Sequence, residues 1–315
     1  MKKTSQLLLL LILSFNSFAG KVAYLSINEL KQSDINLLPV SSEKKMKVID
    51  LESGTVLKNI EFAANISQVF TSNDSRSIYI AQQPTNTLYK LDAKTLTITK
   101  RWDNLPTSIK HMVLSPDNKQ LYFSGYLENK IYSLDFDTDV IQEAYDNNSP
   151  ISDLLYNQTL DTLVLFAGSN TNNIKVTTLD SISMTVQNEF FIPTPTTSPT
   201  TSYAYLNKRG TTLYVFHGYS YRVIHSYDMA TGNKKWDFRN GNRFSKFGYE
   251  SNGEVILFSG QKTLKLNATD GQVADEIDMH VLFSSNQRVI IEEQYQFTKI
   301  YRSISNSDKY HSRRF

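Results

Sequence analysis

An aspartate returns at the end of a short apolar run every 40 to 50 residues, and this repeat limits the folds open to the chain. The recurring residues are Asp50, Asp92, Asp135, Asp180 and Asp228, followed by Asn267. Their spacings are 42, 43, 45, 48 and 39 residues. An Asp or Asn side chain hydrogen-bonds backbone groups two residues on, so each one is predicted to begin a tight hairpin turn.

A second motif repeats with similar spacing. Phe-x-Gly occurs at residues 123–125, 166–168, 216–218 and 258–260, at steps of 43, 50 and 42 residues. Because two unrelated motifs advance together, we infer an internal repeat of about 40–45 residues.

Each repeat is predicted to contain four short strands. In the third repeat these are Lys110–Leu114, Gln120–Ser124, Lys130–Leu134 and Val140–Ala144, separated by turn-forming residues. β-Branched and aromatic residues between such turns are typical of strands, and no later stretch has helical periodicity. The sequence therefore predicts an all-β protein, a β-propeller of four-stranded blades.

Dividing the chain by the repeat length predicts seven blades and leaves six or eight open. The first blade is expected to use Val22–Ile27, Met46–Ile49 and Thr55–Phe62, with an extended loop over residues 28–45. The proline-rich segment 193–201 is expected to lie outside the sheets, since proline cannot donate to a ladder. Strands from both termini are expected to close the ring.

The N-terminus has the pattern of a bacterial signal peptide. Two lysines precede the apolar run Leu7–Leu13, and small residues stand at Ser17 and Ala19. Cleavage after Ala19 is predicted, which leaves one domain over residues 20–315. The chain has no cysteine for a lipid anchor, and no later apolar run is long enough for a transmembrane segment. The predicted location is periplasmic or secreted.

The charge balance argues against nucleic acid as a partner. Removal of the signal peptide takes Lys2 and Lys3, which leaves 31 basic and 31 acidic residues. Phosphate binding depends on clustered lysine and arginine, and a neutral chain without such clusters does not fit that role.

The hairpin DMATGNKKW, from Asp228 to Trp236, resembles the Asp-x-x-Thr-Gly-x-x-x-Trp hairpin of quinoprotein-like propellers. The runs Val48–Val56 and Leu114–Tyr122 are similar to the repeat of YVTN-type periplasmic propellers, which are WD40-like in fold. The resemblance implies a propeller in which Trp236 docks one blade onto the next. Trp102 follows no Thr-Gly turn, which places a quinone-binding ring in doubt.

No catalytic, cofactor-binding or metal-binding residue is predicted, and no cofactor is expected. The five histidines lack a metal-binding spacing, although His217 and His225 flank one hairpin loop and are expected to approach across strands. Asp135, Asp137 and Asp139 lack the glycine and distal glutamate of a calcium loop and are expected to form a polar hairpin tip.

Aromatic residues give the remaining site prediction. Most of them, including Tyr79, Tyr122, Tyr132, Tyr214 and Tyr227, are expected to pack between blades. A cluster in the fifth repeat, beside Tyr203 and Tyr205, is predicted to form a rim that binds a ligand or partner. Its residues are His217, Tyr219, Tyr221 and Arg222.

These observations favour a non-catalytic binding or scaffold module for an envelope protein or a small ligand. The alternative is a propeller enzyme, either a lactonase-like hydrolase or a quinoprotein-like oxidoreductase. Propellers support both classes, so the fold does not choose between them.

Overall fold

The structure is a computed structural model of the chain, and part of the chain is described. The described residues are 22–24, 37–42, 44–50, 56–72, 74, 76–168, 173–193, 203–207, 209–217, 223–240, 244–251, 253–259, 262–277, 281–283, 289–294 and 297–302. The predicted signal peptide therefore lies outside the described residues.

The described residues form 27 strands and no helix. The first fourteen are β1 Val22–Tyr24, β2 Leu37–Ser42, β3 Lys45–Asp50, β4 Val56–Glu61, β5 Asn65–Thr71, β6 Ser77–Gln83, β7 Thr87–Asp92, β8 Ile98–Trp102, β9 Ile109–Leu114, β10 Gln120–Gly125, β11 Lys130–Asp135, β12 Ile141–Asp146, β13 Ile151–Asn157 and β14 Thr162–Gly168. The others are β15 Asn173–Asp180, β16 Val186–Pro193, β17 Tyr203–Leu206, β18 Thr212–His217, β19 Val223–Asp228, β20 Lys234–Arg239, β21 Phe244–Ser251, β22 Glu254–Ser259, β23 Lys262–Asn267, β24 Val273–Ile277, β25 Val281–Phe283, β26 Val289–Gln294 and β27 Phe297–Arg302.

These strands pair into seven antiparallel sheets in chain order. Six sheets are four-stranded meanders, β1–β4, β5–β8, β9–β12, β13–β16, β17–β20 and β21–β24, and β25–β27 form the seventh. The first strand of each of the first four sheets contacts the first strand of the next. We call the first strands the inner strands, because this arrangement places them around the axis of a propeller.

A meander gives each sheet two distinct ends. The turns that join first to second and third to fourth strands lie at one end, which we call the turn face. The loops that join second to third strands lie at the opposite end with the links between sheets, and we call this end the loop face. Antiparallel pairing fixes this division.

The core lies between neighbouring sheets. On β14, Leu163 and Leu165 pack toward the third sheet, while Val164 and Phe166 pack toward the fifth. Successive side chains on a strand point to opposite faces, so the second strand of each sheet contributes to two apolar layers. This double burial explains why second strands read as nearly continuous apolar runs. Tyr79, Tyr122, Tyr214 and Tyr227 are buried between sheets as predicted.

The repeated aspartate builds the same turn in four sheets. In each sheet one carboxylate oxygen accepts a hydrogen bond from the backbone N–H three residues on, at 2.6 to 3.0 Å, and a second from that residue's hydroxyl. The four residues are Asp92, Asp135, Asp180 and Asp228. Asn267 accepts the N–H of Thr269 at 2.8 Å in the sixth sheet. The predicted structural equivalence of these positions is confirmed for the described turns.

The fourth strand of one sheet docks onto this turn in the next sheet. The Nε1 of Trp236 donates to the carbonyl oxygen of Ala268 at 2.9 Å, and a Cβ on Gly271 would lie 2.6 Å from the indole ring. The Nε1 of Trp102 donates to the carboxylate of Asp139 at 2.9 Å. Trp102 therefore docks onto the equivalent turn of the next sheet, although its acceptor is a side-chain carboxylate and no Thr-Gly turn precedes it.

Polar side chains complete this docking at the other interfaces. Lys58 donates to the carbonyl oxygen of Leu96 at 2.6 Å, and Asn188 donates to that of Met229 at 3.2 Å. Between the third and fourth sheets, the hydroxyl of Tyr122 donates to the carbonyl oxygen of Ser181 at 2.8 Å. At four of the five interfaces among the first six sheets the donor lies on the fourth strand, whereas at the interface between the third and fourth sheets it is Tyr122 on the second strand, β10.

The prediction for the first blade was wrong in part. Residues 28–45 were expected to form a loop, yet Leu37–Ser42 form β2, which pairs with both β1 and β3. Pro39 and the two serines that follow Val40 lower the strand propensity of this segment, and pairing on both sides overrides that propensity. The strand predicted over Val22–Ile27 is described as β1, Val22–Tyr24, and it takes the place of the inner strand, whereas β2 was not predicted.

The Phe-x-Gly motif of the third repeat is displaced by one residue from the others. Phe123 is the fourth residue of β10, whereas Phe166 and Phe216 are the fifth residues of their strands. A shift of one residue turns a side chain to the opposite face of the sheet. Phe123 accordingly packs toward the second sheet, whereas Phe166 packs toward the fifth sheet.

The closure of the ring stays a prediction, as does the number of blades. The seventh sheet has three described strands, and β1 pairs within its own sheet rather than with β27. Pro193 ends β16 and pairs with Asn173, so the first residue of the segment expected outside the sheets lies within one. The rest of that segment, residues 194–201, lies outside the described residues.

Replacement of Trp236 by alanine is expected to lower the free energy of unfolding by about 3–5 kcal/mol, because it removes a buried ring and its hydrogen bond. Urea unfolding followed by circular dichroism measures this loss. Trp236→Phe keeps part of the ring and should lose less. A loss below about 1 kcal/mol for Trp236→Ala would contradict the docking role.

The hairpin aspartates should make stability fall in acid. Hydrogen bonds from the Thr231 N–H and hydroxyl lower the pKa of Asp228, and Asp92, Asp135 and Asp180 have lowered pKa values for the same reason. A lowered folded pKa adds stability that is complete above the unfolded value of about 4 and is lost as pH falls through the folded pKa. Urea midpoints between pH 7 and pH 2 should therefore decrease below about pH 4.

Asp228→Asn provides the control for this pH dependence, since Asn267 already fills the equivalent place in the sixth sheet. The variant should lose less stability between pH 5 and pH 2 than the wild type. An unchanged pH profile would show that the turn carboxylate does not contribute.

Candidate functional site

One position on the inner strands carries a different polar side chain in each of five sheets. Its partner is the fifth residue of the second strand, which is Ala81, Ser124, Phe166, Phe216 or Phe258. The residues at this inner position are Gln68, His111, Asp153, Tyr203 and Lys246. The position lies toward the loop face, because second strands run from the turn face to the loop face.

A β-bulge stands beside this position in four of the sheets. The register shifts between residues 66 and 68, 109 and 111, 151 and 153, and 244 and 246, so one extra residue is inserted in each strand. In two of these strands the extra residue is a serine whose hydroxyl donates to the opposite carbonyl oxygen. Ser67 donates to Ala81 at 3.1 Å, and Ser152 donates to Phe166 at 3.2 Å. Bulges re-aim side chains and are common next to sites.

Side chains at the inner position link consecutive inner strands. The amide of Gln68 donates to the carbonyl oxygen of Lys110 at 2.6 Å. His111 Nδ1 lies 3.4 Å from Asp153 Oδ1, and Asp153 Oδ2 accepts the backbone N–H of Ala204 at 3.3 Å. Four inner strands are thereby joined by polar contacts. The side chains of His111 and Asp153 retain 15% and 18% exposure, so a bound molecule can reach them.

One of the four predicted rim residues is among the described residues. His217 is the last residue of β18, at the loop face, and it pairs with Val223. Tyr219, Tyr221 and Arg222 lie outside the described residues. Their grouping as a site therefore stays a prediction.

The predicted approach of His217 and His225 is consistent with strand register. Val215 pairs with His225, so His217 stands diagonally across from it on the same face. Burial lowers the pKa of His225. Within the described residues no group of three or more His, Cys, Asp or Glu side chains is placed to hold a metal ion.

The acidic side chains at the hairpin tip of the third sheet bind partners in their own sheet and in the second sheet. Asp135 accepts the turn hydrogen bonds, Asp137 pairs with Lys119 at 3.1 Å, and Asp139 binds Lys100 and Trp102. The contact with Lys100, and then that with Trp102, lowers the pKa of Asp139.

In the part of the chain that the structure describes, no helix is long and apolar enough to cross a membrane.

The inner position was missed in the sequence, although a periodic signal marks it. The pairs concerned are Ser67-Gln68, Lys110-His111, Ser152-Asp153, Ser202-Tyr203 and Ser245-Lys246, at steps of 43, 42, 50 and 43 residues. Four of the five begin with serine. The signal in the sequence is a recurring serine followed by a polar residue that differs from repeat to repeat. This pattern contains no catalytic motif.

Comparison with known proteins confirms the propeller fold. No family model matches the chain, and no curated protein matches it in sequence. A chain from a structure described as "Crystal Structure of Mitotic Checkpoint Complex" is similar with a TM-score of 0.70 and 13% identity, over 96% of this chain and 98% of that one. The Myceliophteria thermophila Cps50 (Swd1) β-propeller domain is similar with a TM-score of 0.69 and 11% identity, over 92% and 98%.

These similarities support a β-propeller and nothing finer, because identities of 11% and 13% carry the fold alone. The narrower resemblance to YVTN-type and quinoprotein-like propellers stays a prediction.

A double-mutant cycle tests the contact between the third and fourth inner strands. His111→Ala and Asp153→Ala should each destabilise the protein, and their coupling energy should be about 0.5–1.5 kcal/mol, in the range found for polar side chains in contact. Urea unfolding of the four proteins measures it. Strict additivity of the two losses would show that the side chains do not interact.

Proposed function

We propose that the protein is a non-catalytic binding or scaffold module, a single propeller domain over residues 20–315. Its loop face, around the inner position, is the binding surface for a protein partner or a small ligand. The location proposed is periplasmic or secreted, on the basis of the signal-peptide pattern in residues 1–19.

The observation that carries the proposal is a contrast between the two faces. On the turn face, equivalent turns repeat the same residue type, and the Asp or Asn side chain binds its own backbone. At the inner position near the loop face, equivalent places hold Gln68, His111, Asp153, Tyr203 and Lys246, so their chemistry changes from sheet to sheet. Because equivalent places accept five different side chains, the repeated framework requires no particular residue type there, and function on such frameworks resides in grafted sites.

The predicted rim begins at the same face. Its first residue, His217, ends β18 at the loop face, and Tyr219, Tyr221 and Arg222 follow it in the sequence. Aromatic and arginine side chains are enriched at protein interfaces. The composition of this segment therefore agrees with a role in binding a partner.

Site-directed photo-cross-linking in the producing cells tests the proposal. A photoreactive residue in place of Lys110, which is exposed in the bulge of β9, should give adducts with a partner. The same residue in place of Lys94, exposed in a turn at the opposite end, serves as the matched control and should give none.

Adducts from position 94 but not from position 110 would contradict the choice of face. Absence of adducts at both positions, together with turnover of a substrate by the purified protein, would contradict the binding role.

A further inference from the structure

The loop between β10 and β11 presents two large apolar side chains to solvent. Tyr126 is 69% exposed and Leu127 is 68% exposed. They are adjacent at the tip of a loop on the loop face, the proposed binding surface. We call this pair the apolar tip. Exposed apolar side chains that occur singly need no explanation, but a contiguous pair at a proposed interface does.

The loop that carries the apolar tip is fixed on both sides. Gly125 lies so close to the link before β9 that a Cβ there would be 2.0 Å from the hydroxyl of Thr107. On the other side, the carbonyl oxygen of Glu128 accepts the N–H of Ile151 at 2.8 Å, and that of Asn129 accepts the N–H of Asn147 at 2.9 Å. The two side chains are therefore presented by a fixed backbone, which lowers the entropy cost of binding.

The backbone at Leu127 works against stability. Its φ is +57°, in the left-handed region that asparagine and glycine tolerate and branched apolar side chains rarely adopt. The corresponding loop of the second sheet uses Asn86 at φ +49°. An exposed leucine in this conformation contributes neither burial nor a favourable backbone, so folding alone does not explain it.

The surroundings of the apolar tip are acidic. Glu128 follows Leu127 directly, and Asp146 binds the amide of Asn129 at the base of the loop. Lys130 is paired with Glu143 at 2.6 Å, which leaves Glu128 and Asp146 without a salt bridge to any basic side chain of the described residues. Burial, followed by the charge of Glu128, raises the pKa of Tyr132 on the same sheet. A negative setting disfavours an anionic lipid surface or a nucleic acid as the occupant.

We propose that Tyr126 and Leu127 dock into a polypeptide partner whose contact segment combines large apolar side chains with lysine or arginine. This inference rests on the proposed binding role and names the kind of partner and two residues that hold it. The apolar residues of the partner cover the tip, and its basic residues face Glu128 and Asp146, which gives both affinity and orientation.

Selection from a library of random peptides tests the proposal. Twelve-residue peptides displayed on phage are selected on the purified full chain, and the selected peptides are titrated by fluorescence anisotropy. We expect sequences rich in aromatic, leucine, lysine and arginine residues. Their affinity for the double variant Tyr126→Ser, Leu127→Asn should fall at least tenfold, and their affinity for the wild type should fall as salt rises.

The choice of variants separates binding from folding. Leu127→Asn suits the left-handed backbone, so the double variant should melt no lower than the wild type. Ile182→Ser is the matched control, since Ile182 is 87% exposed on the turn face. It should leave peptide affinity unchanged. Glu128→Gln should lower the affinity for the basic peptides and make that affinity less dependent on salt.

Three outcomes of the binding measurements would overturn the proposal, and a fourth comes from cross-linking. The first is that the selected peptides bind the double variant with the same affinity as the wild type. The second is that the selected peptides are predominantly acidic. The third is that the protein sediments with vesicles of phosphatidylethanolamine and phosphatidylglycerol and that this sedimentation requires Tyr126. The last would assign the tip to a lipid surface. Persistence of cross-links from position 110 in the double variant would reject the apolar tip and leave the proposed function standing.

Discussion

The structure depends on the packing of consecutive sheets against one another. Five apolar layers lie between the first six sheets, and each layer draws side chains from both sheets that bound it. Burial of these layers is the dominant favourable term in folding. The hairpin turns then fix the relative position of the sheets, because an indole, an amide, an ammonium or a phenol of one sheet donates to the turn of the next. Burial of apolar area supplies the stability, and these hydrogen bonds fix how neighbouring sheets are positioned.

This division of roles leaves the inner strands free to vary. Turn residues such as Asp135 are occupied with their own backbone, and the second strands are buried on both faces. The inner position has cross-strand pairing through the backbone and only partial burial, so many polar side chains fit there. The bulges beside it keep the hydrogen bonding satisfied, since Ser67 and Ser152 donate to carbonyl oxygens opposite. A rigid framework with variable inner residues is well suited to holding a binding surface.

The sequence predicted the fold because its repeated residues have a local physical role. Asp92 and its equivalents specify a turn through bonds within three residues, and such bonds can be inferred from spacing alone. The first sheet was harder, because β2 contains Pro39 and relies on pairing with two neighbours. The docking of Trp102 was missed because it depends on Asp139, 37 residues away in the next sheet. The site was predicted less well than the fold. His111 and Asp153 meet through space, and no local motif joins them.

The fit of an aromatic ring over glycine has a consequence for how such a chain can change over time. Trp236 requires Gly271 in the following sheet, and Phe190 lies so close to Gly232 that a Cβ there would be 2.7 Å from the Phe190 Cβ. At these two interfaces a large ring is therefore matched to a glycine in the neighbouring sheet. Units of the repeat are not interchangeable, because a transposed or duplicated unit would bring a ring against a side chain. The order of the repeat units is thus constrained by their sequences. Recombination between units is restricted to exchanges that keep each ring with its glycine.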